Sequence, residues 1–350
     1  MNYLNLIKLF SFLITLGLLS SCKKDELPLT SPINSITNPN NSNDPSNPTD
    51  LNNPQEPTPN ILFVNSVDMG EDYGDQIWFS LSTNKVIKTN LRTDWDFSFD
   101  NRDGKHILYL NSATIPSAAI STSNDIITLT NDVGLDYKNE HHSGASDKIA
   151  IGDISNLNSV IVIDRGYTPD GSKIGKWKIQ ITSIGGDSYT FSYAELNSTT
   201  IKTGVVKTNS SYNRTAFSFS TDTEIQIEPA KDAYDLCFTQ YTNIFSDPPL
   251  AYSVNGVIIN SNNTSVAEEF TTPFESITKT RAEGLTYAAN VDVIGYDWKQ
   301  FDLQNNTYNI QTNQNYVVKT SNGDYFKIRF ISFYNENGIK GAPGFEFMKL

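Results

Sequence analysis

From residue 61 onward the chain is written in short runs that alternate apolar with polar side chains. Trp177, Ile179 and Ile181 are interleaved with Lys178 and Gln180, and Phe326, Ile328 and Phe330 with Lys327 and Arg329. Successive side chains of a strand point to opposite faces, so each run buries one face and wets the other. The runs are punctuated by Gly, Asn, Asp and Ser. Asn322-Gly323 falls between Tyr316 to Thr320 and Tyr325 to Phe333, and it supplies the positive φ of a tight hairpin. Gly185-Gly186, Asn255-Gly256 and Asn337-Gly338 read as further breaks between strands. No long amphipathic helix is present, and Ala118 to Ile120 and Thr272 to Ile277 are single turns at most. The pattern predicts an all-β fold of antiparallel sheets with few helical turns.

Two segments echo each other. Thr93 to Phe99 (TDWDFSF) and Asp232 to Phe238 (DAYDLCF) place an aromatic residue, an aspartate and two spaced apolar residues in the same order. A chance likeness of two strands and an internal duplication account for this equally well. No break in composition divides residues 61–350, which read as one large β domain or as two intimately packed halves, 61–220 and 221–350.

The first 60 residues are different in kind. A short polar start with Lys8 leads into an apolar stretch, Leu9 to Leu19, and then Ser20-Ser21-Cys22. The stretch is shorter than the ~20 apolar residues that cross a hydrocarbon core of ~30 Å, and it has the small residues of a signal-peptidase cut. Residues 1–21 therefore read as a bacterial lipoprotein signal peptide and Cys22 as the lipidated residue, with diacylglycerol on its sulfur and an acyl chain such as palmitate on the new amino group. Two or more chains, at ~0.8 kcal/mol per buried methylene, anchor a protein without a spanning segment. An ordinary secretory signal with a cysteine near the cut is the alternative. Lys23-Lys24-Asp25-Glu26 resembles the Lys-then-acidic signal that takes some Gram-negative lipoproteins to the outer cell surface. Otherwise these charges merely solvate the tether of a periplasm-facing lipoprotein. Residues 22–60, dominated from Leu27 by Asn, Pro, Ser, Thr and Asp, cannot bury enough apolar surface to offset their ordering entropy. They are predicted to be a disordered tether that could hold the domain on the order of 100 Å from its anchor.

Charge narrows the partners. The net charge is −13 and becomes one unit more negative when Lys8 leaves with the signal peptide. Such a chain repels phosphate backbones and anionic head groups, so nucleic acid is disfavoured and the membrane contact is the lipid anchor. With two cysteines and Cys22 consumed, Cys237 has no disulfide partner; its apolar setting is that of a small buried hydrophobe.

No enzyme class is indicated. A Gly-x-Ser-x-Gly elbow, a His-Glu-x-x-His helix, a phosphate loop and a zinc cysteine cluster are all missing. A carboxylate pair for sugar hydrolysis converges only in a fold and stays a remote alternative. Asp164 to Ser172 (DRGYTPDGS) offers oxygen ligands without the spacing of an EF-hand, and reads as a plain turn with an exposed Arg165.

Five stretches, taken in order, resemble the HmuY family of haem-binding surface lipoproteins, in a longer form. They are Tyr73 to Ile87 (YGDQIWFSLSTNKVI), Asp94 to Asn111 (DWDFSFDNRDGKHILYLN), Ser159 to Gln180 (with VIVIDRG and KWKIQ), Ile227 to Asn260 (with IEPAKDAYDLCFTQY and YSVNGVIIN) and Tyr316 to Phe347 (YVVKTSNGDYFKIRFISFYNENGIKGAPGFEF). The resemblance implies an all-β fold and attachment to the outer membrane facing the exterior. It also implies capture of haem b, from host or environmental haemoproteins, for delivery to a TonB-dependent receptor.

Non-covalent haem needs an apolar slot, axial ligands and donors for the propionates. In the best-known haem-binding member an axial histidine lies a few residues ahead of a Thr-Tyr strand near the C-terminus. Here the stretch ahead of Thr307-Tyr308 reads Trp298 to Asp302 (WKQFD), without histidine. The candidates that remain are His106, His141 and His142, with Met69 and Met348 as soft alternatives. His106 follows a hairpin-like Asp103-Gly104-Lys105 and is expected to be exposed. His141 and His142 are adjacent in a polar loop, so at most one of them would face a given metal. The 17 Tyr, 19 Phe and 4 Trp could line a flat pocket or pack sheet on sheet, with Trp95, Tyr234 and Trp298 read as strand residues. The alternative function is a β-rich module that binds a protein or glycan and never meets haem.

Overall fold

The computed structural model describes residues 61–350 apart from 103, 142, 146 and 147. The signal peptide, Cys22, the tether and His142 lie outside the described residues. Among the described residues the protein is all-β: 22 strands form five antiparallel sheets, with two 3₁₀ turns and one short helix, α1 (Lys279–Glu283).

The first sheet runs β1 (Phe63–Ser66), β22 (Lys340–Lys349), β21 (Tyr325–Tyr334), β20 (Asn315–Lys319), β17 (Ser265–Glu269). The second runs β16 (Pro249–Ile259), β15 (Leu236–Ser246), β2 (Asp75–Ser80), β3 (Lys85–Leu91). The third runs β14 (Thr223–Ile225), β13 (Arg214–Ser218), β4 (Phe97–Asp100), β5 (Ile107–Leu110), β8 (Gly152–Asp153). The fourth runs β12 (Lys202–Lys207), β11 (Ser188–Glu195), β10 (Lys176–Ile184), β9 (Ile161–Asp164), β6 (Ser117–Ile120), β7 (Lys138–Asn139). A separate hairpin pairs β18 (Lys299–Asp302) with β19 (Thr307–Ile310).

The sheets stack as layers. Phe79 and Phe238 of the second sheet meet Phe345 of the first, with ring centroids 5.3 and 5.1 Å apart. Phe99 of the third stacks on Tyr189 of the fourth at 4.1 Å. The opposite faces of the second and third sheets meet through Trp78, Cys237 and Ala216. The central strands of these two middle sheets are therefore buried on both faces, which is why Ile77-Trp78-Phe79 and Phe97-Ser98-Phe99 do not alternate. Each fully buried phenylalanine contributes roughly 1.5–3 kcal/mol of transfer free energy.

Local expectations meet mixed outcomes. Asn322-Gly323, Gly185-Gly186 and Asn337-Gly338 join β20 to β21, β10 to β11 and β21 to β22. Asn255-Gly256 instead lies inside β16, because a Cβ on Gly256 would stand 2.3 Å from the Gly295 carbonyl oxygen. The glycine serves a close backbone approach and not a turn. Ala118 to Ile120 belongs to β6, paired on both sides, whereas Thr272 to Ile277 does contain a single 3₁₀ turn, Phe274–Ser276. Arg165 is buried, not exposed: its Nε donates to Asp96 Oδ1 at 2.6 Å, its Nη2 to Asp96 Oδ2 at 3.2 Å and to Ser220 Oγ at 2.6 Å.

The echo in the sequence is a structural repeat with exchanged parts. In the third sheet β4 lies between β13 and β5, with Phe97 facing Phe217 and Leu110; in the second, β15 lies between β2 and β16, with Leu236 facing Phe79 and Ile259. The Asp96 carboxylate accepts from Phe219 N and the Asp235 carboxylate from Leu81 N, both at 2.7 Å. Asn111 Nδ2 donates to the Arg92 and Trp95 carbonyls, and Asn260 Nδ2 to the Lys231 and Tyr234 carbonyls, at 2.7–2.8 Å. The flanking hairpins match as well: FSLSTN (79–84) and FSFSTD (217–222) end in Asn84 and Asp222, at φ 55° and 56°. Each hairpin docks on the strand pair of the other repeat. Because both asparagines satisfy buried carbonyls in the same way, Asn111→Ala and Asn260→Ala should destabilise the fold by similar amounts, about 1–3 kcal/mol each. Urea unfolding of the two variants checks this equivalence.

Candidate functional site

The repeats differ in one respect that builds a site. The strand pair β4–β5 is four residues long per strand, whereas β15 and β16 are eleven. The extra length carries a β-ribbon past the layers. The ribbon, the β18–β19 hairpin, the β21–β22 hairpin and the turn before β2 enclose an open cleft of about 1200 Å³, somewhat above the ~300–1,000 Å³ of small-molecule sites.

Aromatic rings wall the cleft. Phe245 and Tyr252 come from the ribbon, Phe301 and Tyr308 from β18–β19, Tyr334 from β21 and Tyr73 from the turn. Phe245, Tyr252 and Phe301 are 40%, 52% and 41% exposed, so they face the opening rather than fill a core. Tyr73 sits at φ 56°, its N–H donating to the Gly70 carbonyl at 3.1 Å. Gly341 lets β22 reach this turn, since a Cβ there would stand 2.3 Å from Gly70 O.

The hydroxyls converge. Tyr73 and Tyr308 lie side by side in the cleft wall. Burial, followed by its neighbours Tyr308, Tyr334 and Glu71, pushes the Tyr73 phenol well above its usual range. Burial raises the Tyr308 phenol too, against the opposing pull of its neighbour Tyr73. The Tyr308 N–H donates to Tyr334 Oη at 2.6 Å, and its ring is held by Phe333 and Phe301 at 4.8 and 5.0 Å.

Charge and orphan polar atoms complete the lining. Lys299 is pushed down to about 7 by burial, against the opposing pull of Asp297. Its ammonium lies over the Trp298 ring at 4.2 Å and donates to the carbonyls of Asn255 and Tyr296. Lys340 lies 5.3 Å over the Tyr73 ring. Ser253 Oγ and Asn255 Oδ1, both on the ribbon, are buried without a hydrogen-bond partner among the described residues. A flat guest with apolar faces and polar edges fits this set. No histidine, methionine or cysteine lines the cleft among the described residues.

The histidines lie elsewhere. His106, half-buried ahead of β5 rather than exposed, has Nδ1 3.1 Å from Tyr189 Oη. His141 bonds Ser143 Oγ at 2.8 Å and lines a smaller cavity at the seam of the two repeats, with Glu140, Arg214 and Glu228. Met69 is in the core, and Met348 lines a shallow pocket beside Phe274. Among the described residues no three His, Cys, Asp or Glu are grouped to hold a metal ion, and no helix is long and apolar enough to cross a membrane. The stretch WKQFD, marked in the sequence for its missing histidine, forms the cleft wall through Lys299, Gln300 and Phe301. The tyrosines were not singled out, because residues 73, 252, 308 and 334 meet only in the fold.

Comparison with protein families matches the chain to HmuY protein over residues 72–347. The chain belongs to the HmuY family. HmuY is a family of binding proteins of haem-binding type rather than of enzymes. Among solved structures the HmuY-family chain is similar to the apo form of an HmuY analogue from Tannerella forsythia, at 10% identity over 84% of this chain and 98% of that one, with a TM-score of 0.25. It is similar to an HmuY-like candidate haem-binding protein from Bacteroides vulgatus, at 11% identity over 82% and 91%, with a TM-score of 0.23. A candidate lipoprotein from Bacteroides fragilis matches at 18% identity over 48% and 92%, with a TM-score of 0.22. Likenesses this distant carry no site geometry, and membership of HmuY rests on the family match. No curated protein matches the chain.

The seam cavity of this HmuY-family chain makes its stability pH-dependent. Burial raises Glu140 to about 7, against its hydrogen bonds and Arg214. The folded state then holds this proton more tightly than the unfolded state, so the contribution is full below about pH 4.5 and is lost as pH rises through about 7. Urea midpoints measured at pH 4.5 and 7.5 should fall with pH in the parent protein. They should fall less in Glu140→Gln, by a difference on the order of 1–3 kcal/mol.

Proposed function

We propose that this protein is a lipid-anchored surface binder that captures haem in the aromatic cleft and passes it to a TonB-dependent outer-membrane receptor. The observation that supports it is the cleft itself: an open, tyrosine- and phenylalanine-walled slot of about 1200 Å³ with Lys340 and unpartnered polar atoms at its edges. Apolar walls take up the porphyrin faces, and Lys340 with Ser253 Oγ offers donors for two propionates. Cys22 carries the lipid, and residues 22–60 form the tether that lets the cleft reach a receptor or a host haemoprotein. The folded domain is residues 61–350.

That no histidine or methionine lines the cleft among the described residues favours a second reading, a β-rich module that binds a protein or glycan through the same exposed aromatics. Haemin titration into the soluble chain from residue 61 separates the two. Haem capture gives a saturable shift of the Soret band that Phe301→Ala weakens about tenfold, roughly 1.4 kcal/mol. His106→Ala and His141→Ala leave the titration unchanged, since neither lines the cleft. A flat titration favours the second reading. In cells, Cys22→Ser should abolish palmitate labelling and release the protein from the envelope.

A further inference from the structure

We propose that the outer edge of β16, at Ala251, Ser253 and Asn255, is a docking edge for an extended segment of a partner polypeptide, which adds to the ribbon as a third strand inside the cleft. The proposal does not depend on haem capture. It takes the second reading of the cleft further, because backbone pairing and not aromatic contact alone then selects the partner. Ala251, Tyr252, Ser253, Val254 and Asn255 all line the cleft. Successive side chains of a strand point to opposite faces, so five consecutive residues border one cavity only where that cavity runs along the edge of the strand.

The register shows which groups that edge offers. β15 and β16 pair without a bulge from Leu236 and Ile259 to Ser246 and Pro249. On the side away from β15, Val257 N donates to the Gly295 carbonyl at 2.9 Å and Gly295 N to the Val257 carbonyl at 3.2 Å, while Ile259 N donates to the Val291 carbonyl at 2.7 Å. Backbone groups of alternate residues in an antiparallel strand point to the same side, so Ala251, Ser253 and Asn255 point outward as Val257 and Ile259 do. Pro249, which has no N–H to offer, stands at the next outward position. Among the described residues no backbone group is hydrogen-bonded to Ala251, Ser253 or Asn255 on that side. Lys299 Nζ caps the Asn255 carbonyl where the contact with Gly295 stops. Ser253 Oγ and Asn255 Oδ1, on the same stretch, are the buried atoms left without a partner.

An unpaired strand edge is complementary to another extended backbone. A segment lying along it exchanges both N–H···O bonds with Ala251 and with Ser253, as Gly295 already does with Val257, and so continues an existing ladder toward the ribbon tip. Edges are commonly blunted by Pro or Lys. Here Pro249 and Lys299 stop the two ends, and the stretch between them is left open to the cleft. Side chains of the incoming segment meet the exposed rings of Phe245, Tyr252 and Phe301, which favours apolar residues at alternate positions. A second copy of this chain would bring its own ribbon and its own β18–β19 wall into the same opening; a lone extended segment brings neither.

The test exposes the full chain to a pool of synthetic heptapeptides with apolar residues at alternate positions. The parent protein should enrich a subset, and their binding should slow hydrogen exchange at the amides of Ala251 and Ser253. N-methylation of one alternate set of peptide residues, those facing the edge, should weaken binding about tenfold or more, whereas N-methylation of the other set should leave it unchanged. Ala251→Pro, which removes an outward N–H and no bond to β15, should weaken binding by a similar factor. Failure to enrich any peptide overturns the proposal. Binding that is indifferent to N-methylation of either set overturns it too, and leaves aromatic contact with a protein standing. A dimer of the parent protein that Ala251→Pro dissolves, without peptide enrichment, assigns the edge to a second copy and also overturns it. Haemin enters none of these measurements, so the haem reading stands or falls separately.

Discussion

An aspartate carboxylate that accepts the first backbone N–H beyond a strand of the other repeat is the interaction on which the layers depend. Asp96 takes Phe219 N and Asp235 takes Leu81 N, across 123 and 154 residues of sequence. In each case the aspartate N–H also donates to the carbonyl of the phenylalanine two residues earlier in that hairpin, Phe217 or Phe79, at 2.9 Å. A charged acceptor in a buried setting gains from every backbone donor aimed at it, and leaving such a donor unpaired costs its full desolvation. The two clamps thus bind each repeat's hairpin to the other repeat's strands. Neither middle sheet is complete without a segment from the far side of the chain, so folding depends on non-local pairing.

The exchange explains the burial pattern. The central strands of two middle sheets that face each other and also face outer sheets have no wet side, and β2, β4 and β5 carry buried residues on both faces. Polar residues that remain inside are tied down: Gln76 to Thr239, Asn101 to Thr215, and Asn213 to Asn260. Arg165, in a loop of the fourth sheet's connections, reinforces one clamp through Asp96, while Asp235 has no arginine among the described residues within hydrogen-bond reach.

Function grows where the symmetry fails. The scaffold common to both repeats ends at four residues of pairing, and the additional ribbon of β15 and β16 has no counterpart at β4 and β5. Facing it are the β18–β19 and β21–β22 hairpins, which likewise belong to the C-terminal part of the chain. The β18–β19 hairpin is a sheet of its own and β21–β22 lies inside the first sheet, and the cleft is the space between them and the ribbon. Mobile-looking features are unnecessary to explain it: Tyr73 is locked by a left-handed turn and Tyr308 by a backbone bond to Tyr334.

Much of this architecture was legible before any fold was seen. Period-two alternation and Asn-Gly or Gly-Gly punctuation mark most of the β10–β11 and β20–β22 strands, and the order of five stretches pointed to the HmuY family that the family match then showed. Those signals are local, set by backbone sterics and by one face of a strand meeting water. Gly256 and Arg165 were misread because the partners that define them, Gly295 O and Asp96, lie 39 and 69 residues away. The echo of TDWDFSF and DAYDLCF pointed at two matching strands, but the exchange of hairpins between them is a matter of which edge pairs with which, and that is decided by long-range packing. The same holds for the site. Composition shows that the chain has tyrosines and almost no histidine, whereas only the tertiary structure brings residues 73, 252, 308 and 334 to one opening, because they sit on different hairpins and turns whose approach is set by long-range packing that sequence distance does not encode.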